Sequence, residues 1–122
     1  MRAMVIDEWC EADGIREADL EPPPVAPDGL LVRVRAAGVN PVDTKVRGGY
    51  MKEKLPFHFP LILGWDVAGV VEQIGAAVTA YKPGDEVYGY LRRHDLQYGT
   101  YAQYTTAPEG FFAPKPPFII GG

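Results

Sequence analysis

Apolar and polar positions alternate with period two in several short stretches of the chain. From Leu30 to Ala37, Leu31, Arg33 and Arg35 alternate with Val32, Val34 and Ala36, which puts the two sets on opposite faces of a strand. Arg2 to Asp7 alternates in the same way, and Ile15 to Leu20 is its expected partner strand. Leu61 to Val78 is apolar and rich in valine and glycine, and reads as one long strand bent at Gly69 and Gly75. Glu86 to Tyr90 and Gly99 to Thr106 read as two further strands, with Leu91 to Tyr98 a polar excursion between them. Lys52 to Pro60 reads as an irregular loop holding Phe57, His58 and Phe59.

Proline and glycine punctuate this pattern. Pro22-Pro23-Pro24 and Pro27-Asp28-Gly29 break the chain after the first two strands, because proline offers no amide donor and Asp-Gly suits a tight turn. Pro41 biases Asn40 away from helical angles and itself suits a first helical turn, so a short helix is expected over Val42 to Arg47, stopped by Gly48-Gly49. Pro83-Gly84-Asp85 is a turn, and Pro114 to Pro117 closes the pattern. There is no internal repeat and no long amphipathic helix. The expectation is a mostly-β, barrel-like domain with one or two short helices.

Composition narrows the class. The chain has 122 residues and is 47% hydrophobic, enough to bury a core and too apolar for a disordered segment. Twelve basic against sixteen acidic residues give a net charge of -4, and no Lys/Arg run exceeds Arg92-Arg93. That speaks against nucleic acid, which calls for a basic face. The single cysteine, Cys10, forms no internal disulfide and builds no structural zinc site alone. No apolar run approaches the ~20 residues that span a bilayer. Acids near the start occupy places where a secretion signal needs apolar residues, so a cytoplasmic protein is expected.

Several short motifs occur in one order. They are Val32-Arg33-Val34 with Ala36-Ala37-Gly38-Val39-Asn40-Pro41-Val42-Asp43, then Leu63-Gly64-Trp65-Asp66-Val67-Ala68-Gly69-Val70-Val71, then Val78-Thr79. Lys82-Pro83-Gly84-Asp85-Glu86-Val87-Tyr88-Gly89, Gly99-Thr100-Tyr101-Ala102 and Ala113-Pro114-Lys115-Pro116 follow. Each alone is unspecific. In this order the chain resembles the N-terminal domain of the medium-chain dehydrogenase/reductase superfamily, in its zinc-independent quinone oxidoreductase branch. The resemblance covers residues 1–116 and implies a GroES-like Greek-key barrel, with 117–122 an atypical tail.

The resemblance also implies a chemistry. Such proteins reduce quinones or activated alkenes with NADPH, so a flat, apolar small-molecule substrate is expected. Zinc-dependent relatives carry cysteine where this chain has Asn40, and Gly-His-Glu where it has Gly64-Trp65-Asp66. Zinc takes thiolate, imidazole or carboxylate ligands, and of the three positions only Asp66 offers one. No metal is expected, and His58 and His94 read as isolated loop or surface residues.

The candidate catalytic residues are Asn40 and Tyr50. In the family Asn40 lies near the nicotinamide and the substrate carbonyl; its alternative is a plain helix cap. Tyr50, after the expected helix, matches a tyrosine that in enoyl-reductase relatives protonates the substrate; its alternative is aromatic packing with a wet hydroxyl. Asp43, Lys45, Trp65, Asp66 and Tyr88 are assigned to the substrate and cofactor cleft. Lys45 departs from a common family tyrosine and is free to bind phosphate, polarise a carbonyl or lie in solvent. Trp65 stacks on substrate or packs in the core. Asp43 and Asp66 hold loops by hydrogen bonds rather than act as bases. Tyr88, Tyr90, Tyr98 and Tyr101 make the late strands aromatic, in keeping with a flat ligand.

A family reductase continues into a Rossmann domain, whose glycine-rich turn and helix N-terminus hold the pyrophosphate. No such motif stands in these residues, and Gly121-Gly122 precedes no helix. Two expectations follow. One is the substrate-side domain of an NADPH-dependent quinone or enone reductase. The other is a half-size protein without cofactor, whose apolar cleft binds, cyclises or isomerises a small molecule. In either case an uncovered strand edge or apolar face calls for a homo-oligomer.

Overall fold

In a computed structural model, the described residues are 1–93 and 95–115. His94 and the tail from Pro116 onward, both singled out above, lie outside them. The fold is mostly β, as the alternation predicts: nine strands, one α-helix and two 3-10 turns among the described residues.

The strands are β1 (Arg2–Ile6), β2 (Arg16–Asp19), β3 (Gly29–Ala36), β4 (Phe57–Ile62), β5 (Asp66–Ile74), β6 (Glu86–Tyr90), β7 (Leu96–Tyr98), β8 (Tyr104–Pro108) and β9 (Phe112–Pro114). The helix α1 is Pro41–Arg47. One sheet has the order β2-β1-β4-β7 and the other β8-β3-β5-β6-β9. All pairings are antiparallel except β4 with β7.

The central strand β3 shows how the pattern works. It is flanked by β5 and β8, with Val32 opposite both Val71 and Thr105. Leu30 and Val32 are fully buried, whereas Arg33 and Arg35 are exposed and pair with Glu72 and Glu86. Leu30, Val32, Val67, Val71, Val87 and Phe112 form the core of the larger sheet. Ile6, Val46, Leu61, Leu63, Trp65 and Leu96 form a second core, joining α1 to the smaller sheet.

Four expectations need correction. Leu61 to Val78 is not one bent strand: Leu61 and Ile62 end β4 in one sheet, and Asp66 begins β5 in the other. The break is at Gly64, whose φ of +98° lies outside the extended range. The segment expected as a loop contributes Phe57–Pro60 to β4, where the four side chains stay exposed. The polar excursion contains β7, which pairs in parallel with β4 and buries only Leu96. Gly99 to Thr106 becomes a strand only from Tyr104, because Gly99 to Tyr101 donate their amides to carbonyls of Ile62, Gly64 and Leu63 instead. No helix among the described residues is long and apolar enough to cross a membrane.

Candidate active site

Helix α1 starts where Pro41 places it. Asn40 stands at its N-cap with extended angles, φ −122° and ψ 156°. Its backbone N–H donates to Asp43 Oδ2 at 2.9 Å, and the Asp43 N–H donates to the Asn40 carbonyl at 2.9 Å. The Asn40 side chain turns away from the helix: Nδ2 donates to Asp66 Oδ2 at 2.6 Å. An ionised carboxylate only accepts, so the amide nitrogen, not its oxygen, faces Asp66. Asn40 is thus both a helix cap by position and a side chain spent across the sheet.

Two carboxylates therefore converge on one asparagine. Asp43 comes from α1 and is buried; Asp66 comes from the first position of β5 and is half-buried. A third group completes the cluster. The Tyr101 hydroxyl donates to Asp43 Oδ2 at 2.7 Å, so one oxygen accepts from both Tyr101 and the Asn40 backbone. Three motifs distant in sequence (Asn40-Pro41-Val42-Asp43, Gly64-Trp65-Asp66 and Gly99-Thr100-Tyr101) meet here.

Burial and the negative charges of Asp43 and Asp66 push the Tyr101 phenol well above its ordinary value of 10.0. A phenol that the fold holds protonated contributes its stability below that ordinary value and loses it progressively as pH rises beyond. Tyr101→Phe is expected to flatten the fall in urea-denaturation stability above about pH 10. Absorbance titration of the folded protein at 295 nm is expected to lose its latest-ionising tyrosine in the same variant.

The other candidates occupy the surroundings. Tyr50 is 59% exposed, so it is a surface side chain rather than core packing. Its ring has Lys54 Nζ at 4.4 Å and Lys45 Nζ at 5.8 Å from its centroid. Trp65 is buried, with Tyr90 edge-on at 5.9 Å and the Arg92 guanidinium 5.4 Å from its ring. Tyr88 is exposed and joins Gly38, Asp66 and Ala68 in lining an open, mainly apolar groove of 340 Å³. His58 is exposed, and no group of three His, Cys, Asp or Glu that could hold a metal ion occurs among the described residues.

The cluster thus brings together Asn40, Asp43 and Asp66, places Tyr88 beside Asp66, and pairs Lys45 with Tyr50. Sequence reasoning missed Tyr101 as a partner of Asp43, and missed Arg92 and Lys54 as cation neighbours of Trp65 and Tyr50. The Tyr101–Asp43 contact links residues 58 positions apart, beyond the reach of any local pattern.

The family model described as the alcohol dehydrogenase GroES-like domain matches residues 26–117. The chain belongs to that family. Among curated proteins, this GroES-like domain is 38% identical over 121 residues to the NADPH-dependent alkenal/one oxidoreductase, chloroplastic, of Arabidopsis thaliana, covering 95% of this chain and 31% of that protein. It is 33% identical over 117 residues to the quinone oxidoreductase of Mus musculus, covering 95% and 34%. Among solved structures, the quinone oxidoreductase of Pseudomonas syringae superposes with a TM-score of 0.86 at 28% identity, covering 97% of this chain and 34% of that one. The expected superfamily and the expected GroES-like fold both hold. The chain spans about a third of the length of these relatives.

Proposed function

We propose that this GroES-like domain forms the substrate side of a zinc-free, NADPH-dependent quinone or enone reductase. The observation that carries the reading is the convergence of Asn40, Asp43 and Asp66 beside an open, mainly apolar groove walled by Tyr88. A flat conjugated carbonyl compound suits such a groove, since apolar walls hold the ring system and a few polar groups at one end orient it. The cytoplasm and a homo-oligomeric state belong to the same proposal. Support for the latter comes from the exposed apolar side chains Met4, Phe57 and Phe59.

The residues present do not fit the whole dinucleotide. A pyrophosphate needs a glycine-rich turn running into a helix whose first amides are free. The one α-helix of the described residues is seven residues long, and the amides of Asn40 and Asp43 at its start are already engaged. NADPH would therefore be gripped by a partner domain and would supply the hydride. What this chain supplies is orientation. Asp66, held by Asn40, sets the polar end of the cleft, Lys45 offers a cation for a carbonyl or phosphate, and the exposed Tyr50 hydroxyl offers a proton to an enolate. The zinc-free reading rests on the donor set, an amide and a buried indole flanking one carboxylate that is itself bonded to Asn40.

Titration of the 15N-labelled chain with an enone or a naphthoquinone tests the reading. The amide signals of Gly38, Asn40, Asp66 and Tyr88 are expected to shift together and to saturate. Asn40→Ala is expected to weaken that binding about tenfold, the loss of one to two hydrogen bonds. Tyr50→Phe is expected to leave binding unchanged and, in a protein that carries the cofactor domain, to slow turnover. Saturating ligand with no shift at these four amides sinks the proposal.

A further inference from the structure

The Tyr101 ring lies over the backbone of Gly64. A Cβ built on Gly64 would meet Thr100 Oγ1 and would stand 2.7 and 2.8 Å from two Tyr101 ring carbons. The tyrosine backbone is pinned as well: its N–H donates to the Leu63 carbonyl at 3.0 Å, and its carbonyl accepts from Met4 N–H at 2.8 Å. Thr100 N–H donates to the Gly64 carbonyl at 3.0 Å. The phenol therefore projects from a rigid segment that belongs neither to α1 nor to β5, and it ends on Asp43.

Asp43 carries the whole connection. Its Oδ2 holds the phenol and the Asn40 N–H at once. Of the two donors on Oδ2, the phenol is the one that comes from outside α1, so it ties the carboxylate, and with it the Asn40 backbone, to the Gly99–Tyr101 segment. We propose that Tyr101 is a positioning residue that holds Asn40 in place through the Asp43 carboxylate. The role of Asn40 toward ligand rests on the function proposed above, whereas the positioning itself does not.

NMR of the 122-residue chain separates positioning from general support. In Tyr101→Phe, exchange of the Asn40 backbone amide is expected to rise at least tenfold. The amides of Val32 and Val71, in the centre of the larger sheet, are expected to stay within twofold of the parent. A uniform rise at all these amides overturns the proposal, because Tyr101 then merely stabilises the fold. An unchanged Asn40 amide overturns it as well.

Should Tyr101→Phe fail to fold, 3,5-difluorotyrosine at position 101 keeps the ring and its hydroxyl while making the phenol more acidic. The Asn40 amide is then expected to change its exchange rate while Val32 and Val71 do not, and no change at Asn40 counts against the proposal. Addition of an enone distinguishes the two claims. If the Asn40 signals respond to Tyr101→Phe but not to enone, positioning stands and the proposed ligand falls.

Discussion

Gly64→Ala is expected to lower the unfolding free energy by about 3 kcal/mol, the sum of a left-handed backbone at a residue with a Cβ and of an overpacked contact. Two independent terms point the same way. The φ of +98° is costly for any L side chain. The new methyl also has no room, since it meets Thr100 Oγ1 and the Tyr101 ring, and both belong to a segment tied down by three backbone hydrogen bonds to residues 62–64. Equilibrium urea denaturation measures the change. For a domain of this size the melting midpoint is expected to drop by roughly 10 °C or more. A loss below about 1 kcal/mol shows that the segment around Tyr101 yields easily, and that the cluster is not rigid.

Asp43→Ala has the next largest effect, about 2–3 kcal/mol. The substitution removes the carboxylate and strands the two donors that share its Oδ2, the Tyr101 hydroxyl and the Asn40 N–H. An abandoned buried donor costs more than a made hydrogen bond gains, which is why truncating the shared acceptor is worse than truncating either donor. Tyr101→Phe strands no buried donor and loosens the Asp43–Asn40 contact rather than deleting its acceptor, so a smaller loss is expected from it. Asp43→Asn keeps the shape and one acceptor oxygen, and is expected to recover more than half of what Asp43→Ala loses. Denaturation of the three variants side by side gives that ranking. A ranking with Tyr101→Phe worst shows that the hydroxyl contributes through more than its bond to Asp43, since phenylalanine keeps the ring.

The two variants also differ in what they report about the cleft. Gly64→Ala acts by pressing on Thr100 and Tyr101. Asp43→Ala leaves the backbone of β5 alone and frees Asn40 directly. Both weaken the hold on Asn40 along different routes. A comparison of their ligand affinities, in variants still folded, tells which route controls the cleft.

Much of this was legible beforehand, and the particular elements say why. Strand β3 and helix α1 lie within a residue or so of their expected bounds, because alternation and the Asn40-Pro41 pair are local signals. Strand β4 was missed since its first four residues are exposed and include Pro60, which has no amide for a strand ladder. Strand β7 was missed because three residues with one buried leucine give no periodicity. The break at Gly64 was missed because apolar residues run through it without interruption; only the assignment of its two sides to different sheets reveals it.

The same division holds for the site. The sequence by itself determined the lineage, the mostly-β class, the short helix, and the presence of Asn40, Asp43 and Asp66 in motifs of the right order. It also determined that Asn40 precedes a helix, because proline constrains its neighbour whatever the rest of the chain does. Only the tertiary structure decided that both carboxylates serve the same asparagine, that Trp65 is buried while Tyr50 stands in solvent beside two lysines, and that Tyr101 completes the cluster. Those facts depend on which strands become neighbours. Strand neighbours are chosen by the joint burial of the two cores, a property of the whole chain that no short motif contains.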